Sequence, residues 1–549
     1  MARKLLAVML ILLCCVSWLT ACGDAPPESG ASEPLMVESS ATSGDSATIE
    51  TITTGSGESS AADSQTTGGS ATGGQATGNN TTGKIPGITK STQQSTQQPT
   101  QAPTQNPADK PSGSNIAGPI TPMKGKSDGV ASILRSRILS AKDATVSVSG
   151  KTYYISHKGN DSNSGASPAQ AWKTIGKLEA SRTKLHKGDA VLFERGGIYR
   201  GTFQALSGVH YGAYGSGDKP AIYGSNANAA ELAWTKHANN IWVSPKSYTS
   251  DVGIIVFDHG KGVGDKKFKM EDLKKDYDFF FSAGKVYLYM SGEPSAKFSS
   301  IEVGRNSHLI QIPSGSSDVT IDNLTLKYTG AHGISIIGDA KNITVTNCEI
   351  GWIGGSIQSG TTRLGNGVEL WNGGENIRVE NCWLYQIYDS ALSHQGRGKF
   401  VVKDLTFADN LVEYTSYGAI EYWAPDASQN ELINVTYSGN ILRFSGYGWG
   451  ELGRRAPGMG ITGASANKST NMKILNNVID STRVYPLNIV HRYGTLPDLE
   501  GNTLYQPKRS YIGCWGTSGG GSRYVFDDNA LNTLKTVFGD TSAKVAYND

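Results

Sequence analysis

The chain has 549 residues, a formal net charge of +2, 18% charged residues and 67 glycines. Length allows two or three domains, and the near-neutral balance speaks against nucleic acid as the main partner, because phosphate binding needs clustered excess Lys and Arg. The Gly content is well above the globular average.

Arg3 and Lys4 precede an apolar run from Leu5 to Trp18, the pattern of an export signal and too short for a comfortable membrane span. The run ends in Leu19-Thr20-Ala21-Cys22, followed by Gly23. This resembles a bacterial lipobox, which implies a signal peptide over 1–21, lipidation of Cys22 and export to the outer face of a bacterial cell membrane. The membrane is then touched through the lipid anchor only. Residues 22–128 are rich in Ser, Thr, Gly, Gln and Pro. They bury too little apolar surface to offset chain entropy, so a disordered tether is expected, with a reach of roughly 50 to 60 Å. A short helix is expected around Val130 to Leu139.

The composition changes near Lys151. A strand, a Gly/Asn/Asp/Ser turn cluster and an amphipathic segment from Ala171 to Leu185 lead into closely spaced short strands. An Asn then recurs before another residue in Asn323-Leu324, Asn347-Cys348, Asn381-Cys382, Asn410-Leu411, Asn440-Ile441, Asn477-Val478 and Asn502-Thr503, at spacings of 24, 34, 29, 30, 37 and 25 residues. Asn tolerates a tight bend and can bond the Asn of the next coil, so these positions predict an asparagine ladder in a solenoid. Three cysteines of the body, Cys348, Cys382 and Cys514, make no disulfide framework. Cys348 and Cys382 read as stacked core residues.

Together these features resemble the pectate-lyase-like right-handed parallel β-helix superfamily. The fold class expected is all-β, a solenoid with an N-terminal helical cap and an inserted β subdomain. The cap and first coils span 129–225, and the insertion 226–303 contains a hairpin around Phe279 to Tyr289. Main coils follow over 304–510, and a C-terminal cap over 511–549. The superfamily contains lyases, hydrolases, epimerases and non-catalytic proteins, so the resemblance alone does not choose an activity.

A second strand repeats in His332-Gly-Ile-Ser-Ile, Asn366-Gly-Val-Glu-Leu, Ser390-Ala-Leu-Ser-His, Gly418-Ala-Ile-Glu-Tyr and Met459-Gly-Ile-Thr-Gly. Alternation turns Ile334, Val368, Leu392, Ile420 and Ile461 inward. It turns Ser335, Glu369, Ser393, Glu421 and Thr462 outward. Glu369 and Glu421 then stand two coils apart, roughly 9 to 10 Å between backbones, close to the separation of acid and base in inverting glycosidases. Asp389 lies about one coil from either Glu. These three are the catalytic candidates, against the alternative of ordinary solvated carboxylates. The same parity turns Trp371 and Trp423 outward, where stacking on sugar rings is the expected use.

The loops Trp352 to Gly365 and Arg443 to Gly458 precede the outward strand and are expected to line its groove. The second carries Tyr447, Trp449, Arg454 and Arg455, which with Trp371, Trp423, His394 and Gln395 form the expected substrate-binding set. His394 falls on an inward position, where a structural role is the competing reading. No cofactor is required by any motif. A calcium site assembled between coils stays open, although the 159–165 segment reads as a turn. The expected function is a tethered, monomeric glycoside hydrolase acting on a polysaccharide with paired carboxylates. The alternatives are a uronate lyase or epimerase using Arg454, Arg455 or His394, and a carbohydrate-binding lipoprotein without turnover.

Overall fold

The computed structural model describes residues 122–548, apart from 144–146, 425–428, 455–457, 464–467, 492 and 518–520. The signal segment, Cys22, most of the tether and Arg455 lie outside the described residues. The described part is a right-handed parallel β-helix made of three long sheets, one of twelve strands and two of ten. Each coil contributes one strand to each sheet in turn.

One ten-stranded sheet carries the rows read from the sequence. Its main rungs are β1 (Ile310–Ile312), β2 (Ile334–Ile337), β3 (Val368–Trp371), β4 (Leu392–Gln395), β5 (Gly418–Trp423), β6 (Met459–Gly463), β7 (Tyr485–Val490) and β8 (Ser510–Gly516). Ile310, Ile334, Val368, Leu392, Ile420, Ile461 and Leu487 stack in register and are buried. Burying such a side chain contributes about 1.5–3 kcal/mol, so this column fixes the register. A slip by one residue would turn every apolar member outward.

The asparagine ladder exists, with a register correction. Asn323, Asn347 and Asn381 have φ of 61°, 55° and 51°. They form the left-handed bend itself. In later coils the bend is made by Asp409, Gly439, Asn476 and Gly501. The buried position is therefore the residue after the bend: Cys348, Cys382, Asn410, Asn440, Asn477 and Asn502. Each backbone N–H in this column meets the side chain of the next coil. Cys348 donates to Cys382 Sγ at 3.4 Å, Cys382 to Asn410 Oδ1 at 3.0 Å, and Asn410 to Asn440 Oδ1 at 3.0 Å. Both cysteines are free and buried in this stack. A second ladder, unforeseen from sequence, runs across strands of the twelve-stranded sheet, where Asn376 donates to Asn342 and Asn342 to Asp318, each at 2.8 Å.

The expected short helix is α1 (Asp128–Leu139), which lies on the second ten-stranded sheet. It buries Ala131, Leu134 and Ile138 against Leu411 and Ile441, and Arg135 meets Glu413 at 2.6 Å. The cap helix is shorter than expected. Only α2 (Ile175–Ala180) is α-helical, flanked by single 3-10 turns over Pro168–Gln170 and Arg182–Lys184. Asp161, from the segment of calcium-loop composition, accepts the N–H groups of Lys173 and Thr174 and pins the start of this helix. Residues from Ala229 to Val303 enclose an apolar cluster of their own around Trp234, Phe257, Phe279 and Leu288. The hairpin is present, with Asp278–Ser282 antiparallel to Lys285–Tyr289. After β8 the chain turns back as Ser522–Phe526, and Lys544–Tyr547 adds a last strand to the second sheet.

Candidate active site

Glu369 pairs in register with Ser393, and Ser393 with Glu421, so the two glutamates occupy one outward row two rungs apart. They are not solvated. Glu369 is 3% exposed and Glu421 8% exposed. A buried carboxylate needs donors or a proton, and the two glutamates answer that need differently.

Glu369 is held by donors. His332 Nε2 lies 2.6 Å from Oε2, and Asn366 Nδ2 donates to Oε1 at 3.3 Å. The tautomer of His332 follows from its other nitrogen, which accepts the Asn366 backbone N–H at 2.9 Å. Nδ1 is therefore bare and Nε2 carries the proton given to Glu369. Glu421 accepts Ser390 Oγ–H at 2.7 Å and Gln395 Nε2–H at 3.0 Å, both on Oε2. Burial, and next the nearby Asp389 charge, push the Glu421 carboxyl up to about 8, against the opposing pull of Ser390 and Arg454.

Asp389 sits just before β4 and accepts Arg454 Nε–H at 2.9 Å. Arg454 ends the short turn of helix α3 (Glu451–Arg454) and its guanidinium covers the Tyr417 ring at 4.6 Å. Burial works against the Arg454 charge, but Asp389 beside it prevails and holds the guanidinium above its ordinary range. The two loops expected to line the groove pack on one another. Trp449 lies 5.3 Å from Tyr388, and Arg363 from the other loop stacks over Tyr388 at 4.4 Å. That contact carries α3 to Asp389.

Several expected binding residues take other places. His394 points into the core, as its parity predicts, bonds Tyr437 Oη at 2.5 Å, and is pushed down to about 3 by burial. It does not reach the groove. Trp371 keeps its outward parity but is only 5% exposed, and Trp449 is likewise buried in the loop cluster. Neither offers an open ring to a ligand. Trp423 is half-buried under Arg397 at 5.4 Å, and Tyr447 is half-buried beside Arg483. Glu451 pairs with Arg483, not with Arg454. Gln395 belongs to the site through Glu421. The structure therefore brings together Glu369, Glu421, Asp389, Gln395 and Arg454, and adds His332, Asn366, Ser390 and Tyr417. Three of these additions begin the aligned repeats of the sequence, which is the signal that could have found them. Among the described residues no group of three or more His, Cys, Asp or Glu could hold a metal ion.

No protein-family model matches the chain. A lacto-N-biosidase of Bifidobacterium longum subsp. longum is 29% identical over 120 residues, which is 20% of this chain and 8% of that protein. The chain thus spans under a tenth of the length of that curated relative. Among solved structures, a glycoside hydrolase gives a TM-score of 0.41 at 10% identity, over 67% of this chain and 97% of that one. A pectate lyase gives 0.39 at 12% identity, over 71% and 80%. A GH136 lacto-N-biosidase from Eubacterium ramulus gives 0.31 at 14% identity, over 73% and 67%.

Proposed function

We propose that the protein is an exported carbohydrate-active enzyme, a glycoside hydrolase in which Glu421 is the general acid and Asp389 the opposing carboxylate. The observation that carries this reading is a buried Glu421, whose carboxyl burial pushes up, in one site with an Asp389 that accepts Arg454 Nε–H at 2.9 Å. Carboxyl groups whose surroundings drive their ionisation apart define an acid and its partner. Glu421 gives its proton to the glycosidic oxygen as the bond to the anomeric carbon breaks. Asp389 attacks that carbon or stabilises its positive charge, and water then completes hydrolysis. Glu369, two rungs from Glu421, is the third carboxyl group of the site.

The likeness to a stretch of a lacto-N-biosidase is consistent with a glycosidic substrate. A β-eliminating lyase would need a neutral base in the groove; of its candidates, Arg454 is paired with Asp389, His394 points into the core, and Arg455 lies outside the described residues. The anchored location rests on the lipobox-like sequence around Cys22. The test is incubation of the 122–549 region with a panel of neutral and uronate polysaccharides and oligosaccharides. New reducing ends without ultraviolet absorbance are expected, and Glu421→Gln abolishes them. Ultraviolet-absorbing products would identify a lyase. Retention of a polysaccharide with neither product, across the panel, would favour a binding protein.

A further inference from the structure

The residue two positions before the inward column forms a stack of its own: His308, His332, Asn366 and Ser390 on successive coils, ahead of Ile310, Ile334, Val368 and Leu392. The side chain of each of the first three accepts a backbone N–H from the next coil. His308 Nδ1 accepts from His332 N–H at 3.3 Å, His332 Nδ1 from Asn366 N–H at 2.9 Å, and Asn366 Oδ1 from Ser390 N–H at 3.0 Å. The two imidazoles lie flat on one another, 4.9 Å apart at 5°.

With the acceptors taken up inside the stack, the donors have one direction left. His332 Nε2–H and Asn366 Nδ2–H point to Glu369, and Ser390 Oγ–H points to Glu421. We propose that His332, Asn366 and Ser390 are positioning residues, a mixed polar ladder that holds the outward carboxylates at fixed places and links Glu369 to Glu421 through Asn366 and Ser390. The link is a scaffold and not a proton wire, because it crosses the side-chain amide of Asn366 and the backbone N–H of Ser390. Its members touch the carboxylates and need not touch substrate. The assignment rests on the reading of this row as the reacting site, but the ladder itself is testable without substrate.

The test is carboxyl-carbon NMR titration of protein labelled at glutamate, with Glu369→Gln and Glu421→Gln used to assign the two signals. The charges facing Glu421 are Asp389, Arg454 and Glu369, with Tyr417 beside them. None is altered by Ser390→Ala or Asn366→Ala, and the two Gln variants serve for assignment only. Ser390→Ala removes only the hydroxyl donor, and the Glu421 midpoint is expected to rise by about one pH unit, a tenfold gain in proton affinity. Asn366→Ala does not touch Glu421, yet is expected to move both carboxyl midpoints. A Glu421 midpoint unmoved in Ser390→Ala would overturn the proposal, and that variant keeps the backbone bond to Asn366. A folded Asn366→Ala protein that shifts Glu369 alone would overturn the link. Loss of turnover in Glu421→Gln with unmoved midpoints would leave the hydrolase reading standing and remove the ladder.

Discussion

Two columns of stacked polar residues run along this solenoid, and they use their hydrogen bonds in opposite ways. In the asparagine column the side chains of Asn410, Asn440 and Asn477 serve only one another, their column neighbours and the backbone. Asn440 Nδ2 donates to Phe407 O at 2.9 Å and Asn477 Oδ1 at 2.9 Å, and Asn477 repeats the pattern on Tyr437 O and Asn502. In the His332, Asn366 and Ser390 column the residue type changes at each coil, and the donors leave the column for two carboxylates. A closed ladder satisfies buried polar groups and rigidifies the fold. An open one supplies a surface with aimed donors. The difference separates a structural repeat from a site built on the same repeat.

The largest expected effect lies on the open side. Glu421→Gln should lower turnover by about 10²–10⁴-fold, the usual worth of acid–base catalysis, with the circular dichroism spectrum unchanged. Asn440→Ala should do the reverse. It removes the acceptor of the Asn410 N–H and of one Asn410 Nδ2–H and the side-chain donor to Phe407 O, at a cost of about 1–3 kcal/mol for each buried group left unmade. Chemical denaturation would register that loss, while the Glu421 midpoint stays put. If Asn440→Ala shifted Glu421 as much as Ser390→Ala does, the two columns would not be distinct.

The third expectation concerns pH. The Glu421 carboxyl is raised in the folded state from 4.5 to about 8, so the folded protein binds this proton more tightly than the unfolded chain. Its stabilising contribution is complete below about pH 4.5 and is lost as pH rises through about 8. Melting temperature should therefore decline across that window, and Glu421→Gln should flatten the decline. The smallest effect belongs to a control outside both columns. Arg135→Ala breaks an ion pair whose arginine side chain is 33% exposed, and should cost no more than about 1 kcal/mol without altering either carboxyl.

Parity along short strands was enough to place Glu369, Ser393 and Glu421 in one row and His394 in the core, because a period of two leaves no freedom once one face is apolar. The asparagine repeat was legible, but its register was not. A bend residue and a buried ladder residue can both be Asn, and only φ separates Asn347 from Asn410. The mixed ladder stood in plain view as the first residue of each aligned repeat, yet His332, Asn366 and Ser390 share no side-chain type, and a search for repetition passes over them. What the sequence could not convey was the cover. Trp449 is buried, and Arg454 reaches Asp389, where two long loops pack together through Tyr388, Arg363 and Trp449. Contacts between irregular loops follow from shape, with no periodicity to read.

The account turns on a carboxyl that keeps its proton at neutral pH inside this row. Carboxyl-carbon NMR of the unaltered protein, with the signal assigned by its disappearance in Glu421→Gln, measures that directly. A Glu421 midpoint near 8 is the predicted result. A midpoint in the ordinary glutamate range of about 4 to 5 would contradict it and leave Glu421 without the proton that its role as acid requires.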